Sequence, residues 1–231
     1  MTTKTRATVE DLYAVPDNAK AELVNGELIL LSPTGDKPGW AGDEIFASLR
    51  SRARMTSFGR AVSDNKGFLA SLPHRKSFSP DAAFYTGRPC GMKYFPDVPV
   101  FAAEIRSEND YGPPAEQEMS QKRADYFAAG CRVVWDVDLL SADVVRVYRV
   151  DVPETPMIYR RGGFADAEPA VSGWKMAVDE LFEQAYCLGR HTEENTSNGR
   201  DDKSALAGER CADRAAELGR ALYCRLEGLV K

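Results

Sequence analysis

The sequence predicts an α/β or α+β domain in which helices flank a mixed β-sheet, followed by a linker and a helical tail. Helical and strand patterns are interspersed along residues 1–188, one strand is a near-continuous apolar run, and the composition becomes polar after residue 189. The chain has 231 residues, 43% of them hydrophobic and 28% charged, as in ordinary globular proteins. A domain of this size buries a core without needing disulfides or a structural metal.

The first elements are a short helix, a hairpin and a longer helix. Residues 8–15 begin with a threonine cap and acidic residues, and Pro16 ends the pattern. The Asn-Gly pair at 25–26 lies between two apolar runs, which predicts a type I′ hairpin turn. Residues 32–42 are rich in proline and glycine and predict a connection. Residues 43–54 carry acids first and arginines last, the order that the helix dipole favours.

The later elements supply most of the sheet. Val98–Arg106 is an apolar run typical of a central strand, with Pro99 near its start. Residues 114–129 predict a helix that ends at Gly130. Other segments with strand patterning are residues 58–72, 78–85, 132–137 and 144–150, and a last apolar element covers residues 171–187.

The chain is predicted to have three parts. Residues 1–188 form the domain, residues 189–204 are polar and predict a flexible linker, and residues 205–231 carry leucines at helical spacing. The tail is either an amphipathic helix that packs on its own domain or on a second copy, or a helix that pairs with itself. Formation of a homodimer is therefore left open.

The charge of the chain limits how it can bind nucleic acid. A formal charge of −5 argues against a whole surface that binds polyanions. The segment between residues 50 and 76 is nevertheless basic, and it reads either as a solvated surface or as a contact to a nucleic-acid backbone. The candidate binding residues are Arg50, Arg52, Arg54 and Arg60.

The apolar segments, the N-terminus and the cysteines of the sequence bear on the location of the protein and on the kinds of site it can carry. No apolar run approaches the length of a membrane span, and the polar N-terminus does not resemble a secretory signal, so we expect a cytoplasmic protein with no membrane contact. The five cysteines are widely spaced, which argues against a zinc site or a disulfide framework.

Three charged residues lie where a plain core would not place them. Asp81 precedes an apolar strand, Glu104 closes another, and Lys122 lies on the apolar stripe of helix 114–129. Two carboxylates at neighbouring strand ends suit Mg²⁺, which uses one or two protein carboxylates and keeps several waters. The alternatives are a turn residue at Asp81, a solvent ion pair at Glu104 and a lysine stem lying along the core at Lys122.

Taken in order, several motifs resemble a known family. They are Glu-Leu-Val-Asn-Gly-Glu-Leu at 22–28, Ser-Pro-Asp at 79–81, Ala-Glu-Ile-Arg-Ser at 103–107, Lys-Arg-Ala-Asp-Tyr-Phe-Ala-Ala-Gly at 122–130 and Val-Trp-Asp-Val-Asp at 134–138. This ordered set is similar to the Uma-two family of putative restriction endonucleases, within the PD-(D/E)XK nuclease superfamily. The resemblance covers about residues 8–185 and implies a restriction-endonuclease-like mixed sheet flanked by helices.

The resemblance also implies a mechanism. It makes Asp81 and Glu104 the ligands of Mg²⁺ or Mn²⁺, together with the carbonyl of Ile105, and makes Lys122 the catalytic lysine. Glu22 would supply an outer acidic contact. Arg106 occupies the place of the superfamily's usual lysine, where it could neutralise charge but could not act as a base. A histidine that relatives often carry is replaced by the stretch at 37–40.

Two functions follow from these residues. The first is metal-dependent hydrolysis of phosphodiester bonds in DNA by an endonuclease. The second is a catalytically weak or inactive nuclease-fold protein that binds nucleic acid or a protein partner. The acidic composition and Arg106 favour the second function, whereas the ordered set of Asp81, Glu104 and Lys122 favours the first.

Overall fold

A computed structural model describes residues 6–16 and 19–182. The elements in chain order are α1 Val9–Tyr13, β1 Ala21–Val24, β2 Glu27–Leu30, α2 Asp36–Thr56, β3 Arg60–Ser63, β4 Phe68–Leu69, β5 Ser77–Phe78, β6 Ala82–Tyr85, β7 Phe101–Ile105, α3 Pro113–Ala129, β8 Val133–Val137, β9 Val145–Arg149, β10 Val152–Tyr159, β11 Phe164–Asp166, β12 Lys175–Ala177 and a 3-10 helix Val178–Leu181. The predicted linker and tail at 189–231 lie outside the described residues.

A six-stranded mixed sheet forms the centre of the domain, in the order β10-β9-β8-β7-β6-β3. Strands β7 and β8 are parallel and are connected through α3, and the other neighbours are antiparallel. Three two-stranded sheets, β1-β2, β4-β5 and β11-β12, accompany the central sheet. The predicted mixed sheet flanked by helices is therefore confirmed.

The two faces of the central sheet carry different residues because side chains alternate along a strand. One face packs on α2, whose Ile45 and Leu49 join a large core with Phe101, Trp135 and Trp174. The other face lies under α3, and its small apolar cluster includes Tyr126 stacked on Phe78. Toward the ends of β7 and β8 this second face becomes charged, and it carries Glu104, Arg106, Asp136 and Asp138, all buried. The polar residues thus lie between the sheet and α3.

Local signals in the sequence identify several elements correctly. Thr8 caps α1 in a capping box with Asp11. Asn25 and Gly26 adopt positive φ angles of 54° and 76° at the hairpin turn, as a type I′ turn requires. Helix α3 ends at Gly130, whose φ of 111° is readily available only to glycine.

The start of α2 differs from the prediction. The helix begins at Asp36, seven residues before the expected start at Asp43, and includes Pro38 and Gly39. Proline is tolerated in the first turn of a helix, where its missing N–H has no intrahelical partner. The stretch 36–42 was therefore wrongly predicted to be a connection.

Several strand predictions were also inexact. The segment 58–72 contains two short strands in different sheets, β3 and β4, separated by Asn65 with a positive φ of 57°. The edge strand β10 was not anticipated, because its prolines and mostly exposed side chains carry no clear strand pattern. The described part of the apolar element 171–187 contains β12 and the 3-10 helix. Within residues 6–16 and 19–182, no helix is both long and apolar enough to cross a membrane.

Candidate active site

The pairing of β6 with β7 brings Asp81 next to Glu104. Ala82 lies opposite Ala103 in this antiparallel ladder, so Asp81 and Glu104 are the next pair of residues along it. The N–H of Asp81 donates to the carbonyl of Ala103 at 3.1 Å. The Oδ2 atom of Asp81 accepts from the N–H of Ile105 at 2.8 Å. The backbone therefore fixes Asp81 beside the end of β7.

Glu104 is buried and has partners on both carboxylate oxygens. Oε1 accepts from the hydroxyl of Tyr126 at 2.7 Å, and Oε2 accepts from Nζ of Lys122 at 2.8 Å. Burial raises the pKa of the Glu104 carboxyl; Lys122 opposes this rise, and the negative charges of Asp81 and Glu22 add to it. A buried carboxylate close to other acids is a group that a bound cation would stabilise.

Lys122 links Glu104 to the hairpin. Its Nζ lies 2.8 Å from Oε2 of Glu104 and 3.0 Å from Oε1 of Glu22. Burial works against the ammonium, but Glu104 and Glu22 outweigh it and raise the pKa of Lys122 well above its usual value. Lys122 is therefore charged at neutral pH. The structure brings Lys122 together with Glu104 and Glu22.

A second layer of ion pairs holds Glu22. Nη1 of Arg75 donates to Oε2 of Glu22 at 2.6 Å, and Nε of Arg75 donates to Asp125 at 2.8 Å. Burial opposes ionisation of Glu22, but Lys122 and Arg75 outweigh it and lower the pKa of this carboxyl. Nε2 of His74 and the amide of Gln121 also contact Asp125, each at 2.8 Å. Sequence reasoning missed Arg75 and Asp125 because 50 residues separate them.

Lys20 is a further residue that sequence reasoning missed. Its Nζ lies 2.9 Å from Oδ1 of Asp81 and 2.6 Å from Oδ1 of Asp64. Burial lowers the pKa of Lys20, but the neighbouring carboxylates, Asp81 first among them, reverse the effect and leave this pKa raised. The available signal was its position two residues before Glu22 at the start of the hairpin strand, since residues two apart share a face.

A cleft of about 500 Å³ opens beside Asp81. Residues from the hairpin, the following loop, the start of α2 and the end of β3 line it, among them Lys20, Thr34, Gly42, Asp64 and Asp81. A Cβ atom on Gly42 would lie 3.4 Å from Cδ1 of Ile105 and 3.9 Å from Cβ of Asp81, so α2 packs against the ends of β6 and β7 at this glycine. The cleft gives Asp81 and Lys20 access to a ligand.

Arg106 is committed to other partners. Its Nε and Nη2 donate to the two oxygens of Asp136, both at 2.8 Å, and its guanidinium also bonds Glu116. The hydrogen bonds that Arg106 donates to Asp136, followed by those that it donates to Glu116, raise the pKa of Arg106 above its usual range. The structure thus places Arg106 in an ion-pair cluster between β8 and α3.

The four predicted arginines have different surroundings. Arg50 and Arg54 are exposed on α2. Arg52 donates to the carbonyl of Ser172. Arg60 donates to the carbonyl of Arg88, and its guanidinium lies over the rings of Tyr85 and Phe95.

The donor set at the strand ends suits a hard divalent cation. In residues 6–16 and 19–182 there is no cluster of three or more histidine, cysteine or acidic side chains arranged to hold a metal. Mg²⁺, however, commonly uses only one or two carboxylates and fills its remaining positions with water. Five carboxylates (Glu22, Asp64, Asp81, Glu104 and Asp125) face three cations (Lys20, Arg75 and Lys122), a formal charge of −2. Asp81 and Glu104 therefore fit such an ion in both ligand type and charge.

Comparisons with known proteins agree with this architecture. A putative nuclease belonging to DUF820 from Anabaena variabilis ATCC 29413 has a similar crystal structure, with a TM-score of 0.60 and 17% sequence identity over 76% of this chain and 97% of that one. This likeness establishes the fold. The search of curated proteins finds no match. The model of the Uma2 family, described as putative restriction endonuclease, matches residues 7–179. The chain belongs to the Uma2 family, with a restriction-endonuclease-like fold.

Proposed function

We propose that this protein is a Mg²⁺- or Mn²⁺-dependent endonuclease that hydrolyses phosphodiester bonds in DNA at the cleft beside Asp81. The observation that carries the proposal is the convergence of Asp81, Glu104 and Lys122 from three elements distant in sequence. Lys122 contacts Glu104 directly, and Glu104 is adjacent to Asp81 in the β6-β7 ladder. Membership of a nuclease family supports the same reaction class.

Asp81 and Glu104 would hold the metal, with the carbonyl of Ile105 as a further ligand. A bound divalent ion supplies Lewis-acid polarisation of the phosphate and lowers the pKa of a coordinated water. In the hydrolysis, a water oxygen bonds to phosphorus and the bond to one ester oxygen breaks. The proton released by the water passes to solvent, and the departing oxygen takes up a proton.

Lys122 contributes charge in this proposal. Because Glu104 and Glu22 keep it protonated, it is suited to orienting the attacking water or to neutralising charge on the pentavalent phosphate, and poorly suited to accepting a proton. Glu22 contacts the ammonium from the side of the hairpin, and Arg75 in turn holds Glu22. Arg106 would support the site indirectly by fixing Asp136 opposite Glu104 in β8.

Four arginines of the basic segment, Arg50, Arg52, Arg54 and Arg60, would contribute to binding of the DNA backbone. Helix α2 starts at the cleft, and at about 1.5 Å per residue its Arg50 lies about 12 Å along the axis from Gly42. Exposed arginines at this distance suit phosphates flanking the cleaved one, with Arg50 and Arg54 as the direct contacts. Arg52 and Arg60 would contribute through positive potential, since both also bond carbonyl oxygens.

Cleavage of supercoiled plasmid DNA tests the proposal. We expect nicking or linearisation with Mg²⁺ or Mn²⁺ and none with EDTA. D81N and E104Q should lower the rate at least about 100-fold, as loss of groups that stabilise the transition state does. The matched control is E118Q, because Glu118 is exposed on α3. Cleavage that persists in both D81N and E104Q would exclude this site.

The second candidate is a nuclease-fold protein that binds nucleic acid or a protein partner without cutting. The ion pairs of Asp81 with Lys20 and of Glu104 with Lys122 favour it, because each proposed ligand already has a cationic partner. DNA binding that weakens in R50Q and R54Q, with no metal-dependent cleavage by the wild type, would support this alternative.

A further inference from the structure

The two lysines of the site are arranged in the same way. Lys122 bridges Glu104 and Glu22, and Lys20 bridges Asp81 and Asp64. Each lysine therefore contacts one proposed metal ligand and one further carboxylate. A divalent cation that binds the ligands must compete with both ammonium groups, and each ammonium has a second carboxylate that retains it.

The surroundings of the two lysines differ. Lys122 contacts carboxylates of β7 and the hairpin, whereas Lys20 lines the open cleft together with Asp64, although both lysine side chains are mostly buried, at 18% and 13% exposed. The side chain of Asp64 is 39% exposed, three times the 13% of Asp81. Lys20 is therefore the lysine placed on the side from which a ligand enters.

Asp64 is held so that it can keep Lys20 in the cleft. Its Oδ1 accepts from the N–H of Asn65 at 2.6 Å, and its Oδ2 accepts from the hydroxyl of Thr34 at 3.4 Å. The contact from Lys20 to Asp64 is also shorter than that to Asp81, 2.6 against 2.9 Å. If a metal takes over Asp81, Lys20 keeps a fixed partner and stays beside the reacting group.

From this arrangement we propose that Lys20 is a second catalytic lysine, which neutralises Asp81 until a divalent cation binds there and then, retained by Asp64, contacts the scissile phosphate. This inference rests on the proposed function. Lys20 forms and breaks no covalent bond; its ammonium donates to a non-bridging phosphate oxygen while water attacks phosphorus and the ester oxygen departs. Charge on that oxygen is greatest in the transition state, so the contact accelerates the reaction.

The test separates competition with the metal from contact with the phosphate. Mn²⁺ is titrated into each purified full-length variant by calorimetry without DNA, and plasmid cleavage is then measured at saturating Mn²⁺. In K20Q we expect Mn²⁺ to bind about tenfold more tightly, because a competing charge-assisted hydrogen bond is lost. Cleavage should nevertheless fall about 100-fold. K20R retains the charge and should keep the wild-type Mn²⁺ affinity and part of the activity.

Lys66 provides the matched control. It is exposed and contacts the hydroxyl of Ser63 and the carbonyl of Asp64. K66Q removes the same charge close to the cleft, and we expect its Mn²⁺ affinity and its cleavage to remain at wild-type values. Equal Mn²⁺ affinity in K20Q and K66Q would contradict the proposed competition between Lys20 and the metal ion for Asp81. Full cleavage by K20Q at saturating Mn²⁺ overturns the phosphate contact.

A second pair of variants tests the inference if K20Q does not fold. D64N removes the carboxylate that is the second partner of Lys20. The matched control is D43N, because the carboxylate of Asp43 also lines the cleft. We expect the Mn²⁺ affinity of D64N to be about threefold lower than that of D43N. Equal affinities in D64N and D43N overturn the inference. A wild type that binds Mn²⁺ but cuts no DNA refutes the proposed nuclease and the phosphate contact, while the Mn²⁺ affinities still decide the competition.

Discussion

Replacing Arg106 by lysine would introduce, two positions after Glu104, the residue that the motif implied by the resemblance carries there. We expect R106K to destabilise the protein and to leave its DNA cleavage no higher than that of the wild type. The guanidinium of Arg106 bonds both oxygens of Asp136 at 2.8 Å, and both side chains are almost completely buried. An ammonium is a point charge that cannot reproduce this two-pronged contact.

The size of the effect follows from the burial of the two partners. Loss of one charge-assisted hydrogen bond to the buried Asp136 costs about 1.5–3 kcal/mol. The carboxylate of Glu116 is 53% exposed, so its lost contact adds no more than about 1 kcal/mol. The free energy of unfolding should therefore fall by about 1.5–4 kcal/mol. For a domain of this size that lowers Tm by at least about 3 °C.

Thermal and urea unfolding followed by circular dichroism measure this change. The matched control is R54K, because Arg54 is exposed on α2. We expect the Tm of R54K to stay within about 1 °C of the wild type. A fall of less than about 2 °C in R106K would contradict the structural role assigned to Arg106. A tenfold gain in cleavage would contradict the assignment of the catalytic charge to Lys122.

Three further changes test the fold and the site. Burial opposes ionisation of Asp166, but hydrogen bonds from the hydroxyl of Tyr159 and from its other partners outweigh the effect of burial and lower the pKa of this carboxyl. The Asp166 carboxylate therefore stabilises the fold above about pH 4, and this stabilisation is lost as the pH falls further. D166N should show a smaller loss of Tm than the wild type between pH 5 and pH 3. G130A should lose about 1–2 kcal/mol, because alanine is strained at a φ of 111°. Y126F keeps the ring but removes the bond to Glu104, and should lose about 1.5–3 kcal/mol.

Each of these three predictions has a result that would contradict it. Parallel acid profiles for D166N and the wild type would mean that Asp166 titrates alike in the folded and unfolded states. An unchanged urea midpoint in G130A would show that the end of α3 tolerates a side chain. Wild-type stability in Y126F would show that Glu104 does not depend on the tyrosine hydroxyl.

The sequence predicts those parts of the site that obey a local rule. Asp81 and Glu104 stand at strand ends marked by apolar runs, and Lys122 lies on the inner stripe of a well-delimited helix. The contacts of Lys20 could not be predicted in the same way, because Lys20 and Asp81 are 61 residues apart. Their contact depends on how the hairpin packs against the ends of the central strands.

In the fold, too, the elements that follow a local sequence rule are predicted and the others are not. The hairpin at Asn25-Gly26 and the end of α3 at Gly130 follow from backbone conformations that few residues adopt. The start of α2 was missed because proline and glycine read as a loop unless the first turn of the helix is already known. Similarly, β10 is an exposed edge strand whose side chains bury little, so it carries no hydrophobic alternation.

Anomalous diffraction from crystals grown with Mn²⁺ would show whether Asp81 and Glu104 hold one divalent cation between them. We expect a single strong peak beside the cleft, bonded to carboxylate oxygens of both Asp81 and Glu104, with Lys122 adjacent. The peak should disappear in crystals of E104Q. No peak at this position, or a Mn²⁺ ion bound to one of the two carboxylates without the other, would contradict the assignment of Asp81 and Glu104 as joint metal ligands.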